Sequence, residues 1–168
     1  MRVPKGSMKR GRPHVVYLSR QACDLLVALK MCAGGSPYLF AGRYSINKPL
    51  SNAALNGVIT TTVKVAQSQG KSLEHFTVHD MRRTASALLH EAGYPSDWIE
   101  KCLAHEQNGV RAIYNNAKYA QQRAYMLLQW ADMVDRWIAG TLVRLIPFSP
   151  TNYEKWVLGE ASDLNCSN

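Results

Sequence analysis

The chain has 168 residues, enough for one domain that buries roughly 70% of its unfolded surface. Apolar residues make up 46%, which excludes wholesale disorder, and no apolar run approaches the ~20 residues that a membrane-crossing helix needs. The formal charge of +8 is carried by the first half: residues 1–73 hold eleven Lys/Arg against the single acid Asp24 (+10), whereas residues 74–168 hold nine against eleven acids (−2).

That asymmetry suits a face that binds a polyanion, nucleic acid being the commonest, and equally a basic surface that merely solubilises. Cys23, Cys32, Cys102 and Cys166 are scattered with no C-x-x-C pair, which argues against a disulfide scaffold or a zinc ribbon. No signal-peptide pattern opens the sequence, so a reducing cytoplasm is the expected compartment.

The first elements are short. Lys9-Arg10-Gly11-Arg12-Pro13 reads as a hairpin tip and His14–Leu18 as the strand after it. Ser19 is placed to cap a helix from Arg20 to about Cys32, with Ala22, Leu25, Leu26 and Leu29 on its inner face; Gly34-Gly35-Ser36-Pro37 stops it. A loop over residues 38–50 contains Arg43 and Lys48. Ser51 is the expected cap of a second helix that runs to about Gln69, weakened by three successive threonines and ended by Gly70. A third helix opens at Thr77 or Val78 and closes at Gly93. Pro95-Ser96-Asp97 begins a short helix through Leu103, another starts near Gly109 and passes Tyr114, and a long amphipathic helix spans about Tyr119–Ala139. From Gly140, with Pro147 and Pro150, the tail reads as irregular. The fold class is therefore mainly α with a small β-hairpin, an α+β domain.

Chemistry concentrates between His79 and Tyr114. At about 100° per residue, Met81, Ala85, Leu88, Leu89 and Ala92 form one apolar stripe, and His79, Arg83, Ser86 and His90 lie opposite. Arg82 falls at the edge, one turn from His79, where its stem can be held while its guanidinium faces a pocket. Arg83 points outward, as a solvated residue or a contact to backbone phosphate. His-x-x-Arg alone is short and common, and a lone His or Tyr is more often structural. His105, in Leu103-Ala104-His105, and Tyr114, nine residues later, turn the pattern into a set. Two imidazoles, a guanidinium and a phenol suit an anionic phosphodiester without a metal.

The run His79-Asp80-Met81-Arg82, Leu103-Ala104-His105, Tyr114 resembles the catalytic domain of the tyrosine recombinases, the phage and genomic-island integrases. That family has H-x-x-R, then L-G-H some two dozen residues on, then a nucleophilic tyrosine nine residues further. The basic hairpin ending in PHVVYLS resembles the family hairpin that bears a catalytic lysine, which maps onto Lys9. The resemblance covers roughly residues 8–138. It implies the catalytic-domain fold of DNA breaking-rejoining enzymes, incomplete at its N-terminus, over residues 1–139 (hairpin 3–18, helical part 19–139). It also implies a 3′-phosphotyrosyl intermediate made by Tyr114. Arg82 and His105 would hold the non-bridging oxygens, His79 would orient the phosphate or take the tyrosine proton, and Lys9 would protonate the leaving oxygen. Arg10, Arg12, Arg43, Lys48 and Arg83 are the expected contacts to duplex DNA at attachment sites, with no metal, cofactor or membrane partner. Tyr119 is the competing nucleophile, at a spacing that fits worse.

Two departures stand out. Ala104 replaces the usual glycine, a minor change at the level of sequence. No T-G-x-R-x-x-E-like segment precedes Lys9, so the family's first arginine has no counterpart, and a fragment with weak or absent activity, or a DNA-binding remnant, is the expectation. The 119–139 helix carries two apolar rows, one headed by Ala120 and Ala124, the other Met126, Trp130, Met133 and Trp137. Packing on its own domain is the first reading of that breadth, and docking onto a second copy the other. If the basic half neutralises about six phosphates, log K for duplex DNA falls against log salt with a slope of about −5. Fluorescence anisotropy over a salt series measures it, and a flat response would exclude a DNA-binding role.

Overall fold

The computed structural model describes residues 1–7, 13–42, 44–51, 53–105, 118–141 and 144–160. Among these, six helices and two antiparallel strand pairs give the mainly helical α+β class expected. The chain divides into two units, residues 1–22 with 88–168, and residues 23–87.

In the first unit, β1 (Arg2–Val3) pairs with β2 (His14–Val15) in the register Arg2↔Val15 and Val3↔His14. This is the base of the expected hairpin; its tip, with Lys9, Arg10 and Arg12, lies outside the described residues. The core comes from later in the chain. α4 (Ser96–Cys102) lays Trp98 and Ile99 against α5 (Ala120–Ile138), where Tyr125, Met126 and Met133 are buried. Of the two apolar rows on α5, the methionine–tryptophan row is thus the seam: Met126 is 0% exposed, whereas Ile138 at the end of the other row is 80% exposed. Trp130 and Trp137 pack edge to face with centroids 5.7 Å apart.

The tail departs from its expected irregularity. Pro150–Val157 form α6, capped by Ser149, whose Oγ accepts from the Asn152 amide at 3.3 Å. Proline at the first helical position lacks only an amide that would have no intrahelical partner there, so Pro150 starts the helix and does not break it. Phe148, Tyr153 and Trp156 then join the core, with Trp98–Phe148 at 5.3 Å and Tyr125–Trp156 at 5.4 Å. The Phe148 amide donates to the Ala92 carbonyl at 2.6 Å, which ties the tail to the turn after the helix Val78–Glu91.

Arg123, on the first turns of α5, is 5% exposed. Its Nη2 donates to the Val15 carbonyl at 2.6 Å, its Nη1 to the Lys118 carbonyl at 3.4 Å, and its guanidinium lies 5.1 Å from the Tyr17 ring centroid. A buried guanidinium held by carbonyls and an aromatic face fastens the hairpin strand to α5.

α1 spans Arg20–Cys32 as expected, and the Ala22 amide donates to Ser19 Oγ at 3.2 Å. It buries no side chain completely, and Leu25, expected inside, is 66% exposed. In the second unit the expected loop after α1 holds a strand pair, β3 (Ala41–Gly42) with β4 (Ser45–Pro49). β4 is exposed along all but its first residue, so it carries no alternating apolar signal, and Pro49 disguises it further. Ser36, 0% exposed, donates to the Ile46 carbonyl and accepts from the Tyr38 amide, pinning the turn. α2 (Ala54–Ser68) starts behind Ala53 without a side-chain cap, so Ser51 is not the cap; its carbonyl instead accepts from the Ala54 amide at 3.0 Å. Thr60, Thr61 and Thr62 turn their hydroxyls back to the carbonyls of Asn56, Gly57 and Val58, at 2.9–3.0 Å. α3 follows over Val78–Glu91; Leu89 and Ala92 are buried as expected, but Met81, at the other end of the stripe, is 56% exposed.

Met126→Ala leaves a cavity under α4 and is expected to cost about 3 kcal/mol, read from the shift in urea midpoint.

Candidate active site

The start of α3 is fixed by a reciprocal cap. The Asp80 amide donates to Thr77 Oγ1 at 3.2 Å, and Asp80 Oδ2 accepts from the Thr77 amide at 3.0 Å and its hydroxyl at 2.7 Å. The Val78 amide donates to Asn56 Oδ1 at 3.1 Å, which joins the same turn to α2. These bonds from Thr77 hold the Asp80 carboxyl below its ordinary range, with a lesser contribution from nearby Arg83. The cap is therefore intact above the ordinary carboxylate range and weakens as pH falls through the lowered value. Asp80, in the middle of the histidine–arginine motif, belongs to the helix start.

With the first turn so held, His79 and Arg82 stand one turn apart, both exposed, in the second unit. Arg83 is exposed, 4.0 Å from Asp80. Lys48 sits exposed on β4. Tyr114, Lys9, Arg10, Arg12 and Arg43 lie outside the described residues.

His105 belongs to the first unit and follows α4 directly. The Ala104 amide donates to the Lys101 carbonyl at 3.4 Å and the His105 amide to the Glu100 carbonyl at 3.0 Å. This paired closure of a helix end requires a left-handed residue between the cap and the second bond, and Ala104 supplies it with φ 53°. The position where the resembling family carries glycine is thus one where a side chain costs conformational energy, so the alanine is more than a minor departure. The reversal also sets the imidazole over the last turn, with Nδ1 2.7 Å from Glu100 Oε2. Sequence reading passed over Glu100 because helical neighbours are sought at three and four residues, not five.

Tyr119, the competing candidate, stands at the start of α5. Its backbone is left-handed (φ 47°), its ring packs on the core, and its hydroxyl donates to Asp97 Oδ2 at 3.4 Å. Beneath the His105 turn, burial pushes the Cys102 thiol up, partly opposed by Arg123. Among the described residues no group of three His, Cys, Asp or Glu side chains is placed to hold a metal ion, and no helix is long and apolar enough to cross a membrane.

The model of the phage integrase family matches residues 1–121. Prophage integrase IntZ of Escherichia coli strain K12 is 42% identical over 140 residues, 82% of this chain and 32% of that protein. Prophage integrase IntA of the same strain is 35% identical over 143 residues, 84% of this chain and 33% of that protein. The integrase of Shigella phage Sf6 is 35% identical over 130 residues, 76% of this chain and 32% of that protein. The chain thus spans about a third of the length of the curated relatives it matches. No solved structure matches significantly.

Ala104→Gly relieves the left-handed backbone at little packing cost and is expected to raise stability by about 0.5–1 kcal/mol, measured by thermal or urea unfolding.

Proposed function

Because the chain belongs to the phage integrase family, we propose that it acts in site-specific DNA recombination, cutting and rejoining duplex DNA at attachment sites through a tyrosyl link. The observation that carries this reading is the family match over residues 1–121, a stretch that contains His79, Arg82, His105 and Tyr114 at the spacing of the resembling motifs and the hairpin with Lys9.

In this reading residues 1–139 form part of the catalytic domain. The Tyr114 oxygen attacks the scissile phosphorus and forms a 3′-phosphotyrosyl bond while the bond to the 5′-oxygen breaks. His79 orients the phosphate or accepts the phenol proton, and Lys9 gives a proton to the departing 5′-oxygen. Arg82 donates to the non-bridging oxygens, where charge develops, and His105 adds a donor. The ester keeps the bond energy, so attack by a 5′-hydroxyl restores the strand without a nucleotide cofactor. Nucleophile, base, acid and oxyanion donors are all side chains, so no metal is assigned a part. Arg10, Arg12, Arg43, Lys48 and Arg83 hold backbone phosphates, and the 119–139 helix offers a face for a second copy.

The 168 residues include no T-G-x-R-x-x-E-like arginine segment. Loss of one such oxyanion donor costs about 10²–10³ in rate, so the chain alone is proposed to cleave slowly. Its basic first half supports DNA binding whether or not cleavage follows.

Incubation with a nicked suicide duplex, followed by denaturing electrophoresis, tests the reading. A covalent protein–DNA adduct is expected, absent in Tyr114→Phe and retained in Tyr119→Phe. Binding without any adduct in the unsubstituted chain would sink the catalytic reading in favour of a DNA-binding remnant.

A further inference from the structure

We infer that Glu100 is the positioning residue of His105, selecting the nitrogen that the imidazole presents to the phosphodiester; this rests on the catalytic reading of His105 above. Glu100 holds that residue twice. Its carbonyl accepts the His105 amide at 3.0 Å, and its carboxylate oxygen Oε2 lies 2.7 Å from Nδ1. The first bond fixes where the residue begins, and the second fixes the rotation of its ring. Both depend on the left-handed Ala104, which folds residue 105 back over residue 100.

The chemistry of the pair decides the proton. An ionised carboxylate only accepts, so Nδ1 must carry hydrogen. A neutral imidazole left to itself in water favours hydrogen on Nε2, so the carboxylate imposes the opposite tautomer. Nε2 then becomes the nitrogen on the outward edge of the ring. It donates to a non-bridging oxygen when the ring is an imidazolium and accepts a proton when the ring is neutral. A histidine set in this way by a carboxylate behind it meets its ligand through one defined nitrogen, as metal-binding histidines do. The side chains of His105 and Glu100 are 52% and 34% exposed, so the ring is open to a ligand while the carboxylate is partly covered.

Long-range proton–nitrogen correlation spectra of the full chain labelled with ¹⁵N read the tautomer directly. At a pH where the ring is neutral, His105 is expected to show hydrogen on Nδ1. Glu100→Ala should revert it to hydrogen on Nε2, and Glu100→Gln, whose amide oxygen keeps an acceptor at the same reach, should restore it. A short duplex should then move the Nε2 signal of His105 in the unsubstituted chain. In the suicide-duplex assay, Glu100→Ala should slow adduct formation about 10-fold, with DNA affinity within about twofold and recovery in Glu100→Gln. Hydrogen on Nε2 in the unsubstituted chain, or a tautomer indifferent to Glu100→Ala, overturns the inference whatever the adduct yield. A tautomer set by Glu100 with no adduct in any variant upholds the positioning of the ring and overturns the catalytic reading instead.

Discussion

The packing of Trp98 and Ile99 on Met126 and Met133 is the contact on which the first unit depends. α4 is only seven residues long, too short to persist as an isolated helix, so its existence rests on that burial. Each of these side chains contributes about 1.5–3 kcal/mol by leaving water. Tyr94 is buried beside this seam, and Phe148, Tyr153 and Trp156 pack on it with tilted and edge-to-face ring contacts. The turn that carries His105 is the C-terminal end of α4, so the position of the imidazole is inherited from this seam. Arg123 extends the same framework to the hairpin strand through the Val15 carbonyl.

Where local chemistry was sufficient, the sequence was readable. The bounds of α1 follow from Ser19 and from Gly34-Gly35-Ser36-Pro37, signals that act within one turn of the helix end. The two apolar rows of α5 follow from helical spacing, and burial shows the methionine–tryptophan row to be the seam. The β3–β4 pair escaped because β3 is only two residues long and β4, exposed beyond its first residue, shows no alternation. α6 is hidden in the sequence because proline usually signals a break, whereas its effect depends on whether it stands first or inside a helix. The exposed sides of Leu25 and Met81 could not be foreseen from periodicity, which gives a helix its apolar face without saying what covers it.

The candidate site divides along the same line. His79 and Arg82 were legible as residues one turn apart, because that relation is a property of any helix. The use of Asp80 in the cap was legible in principle from Thr77 three residues before it, although the eye goes first to the histidine and arginines around it. The pairing of Glu100 with His105 was not legible, since it needs a left-handed residue between them and alanine does not advertise one. Resemblance to the integrases named the candidate groups, and the geometry of two helix ends explains how His79 and His105 are held.

Among the described residues of the second unit, Val63 is the one buried apolar side chain, while Leu25, Val58 and Met31 are 60–80% exposed. A unit so poor in buried surface sits at the low end of local stability, where backbone amides open and exchange with solvent readily. Any polyanion bound by its lysines and arginines adds stability by mass action, about 1.4 kcal/mol for each tenfold excess over the dissociation constant. For the turn that bears His79 and Arg82, ligand and fold would then be thermodynamically linked: a polyanion bound there would contribute to the order of the surface that holds it.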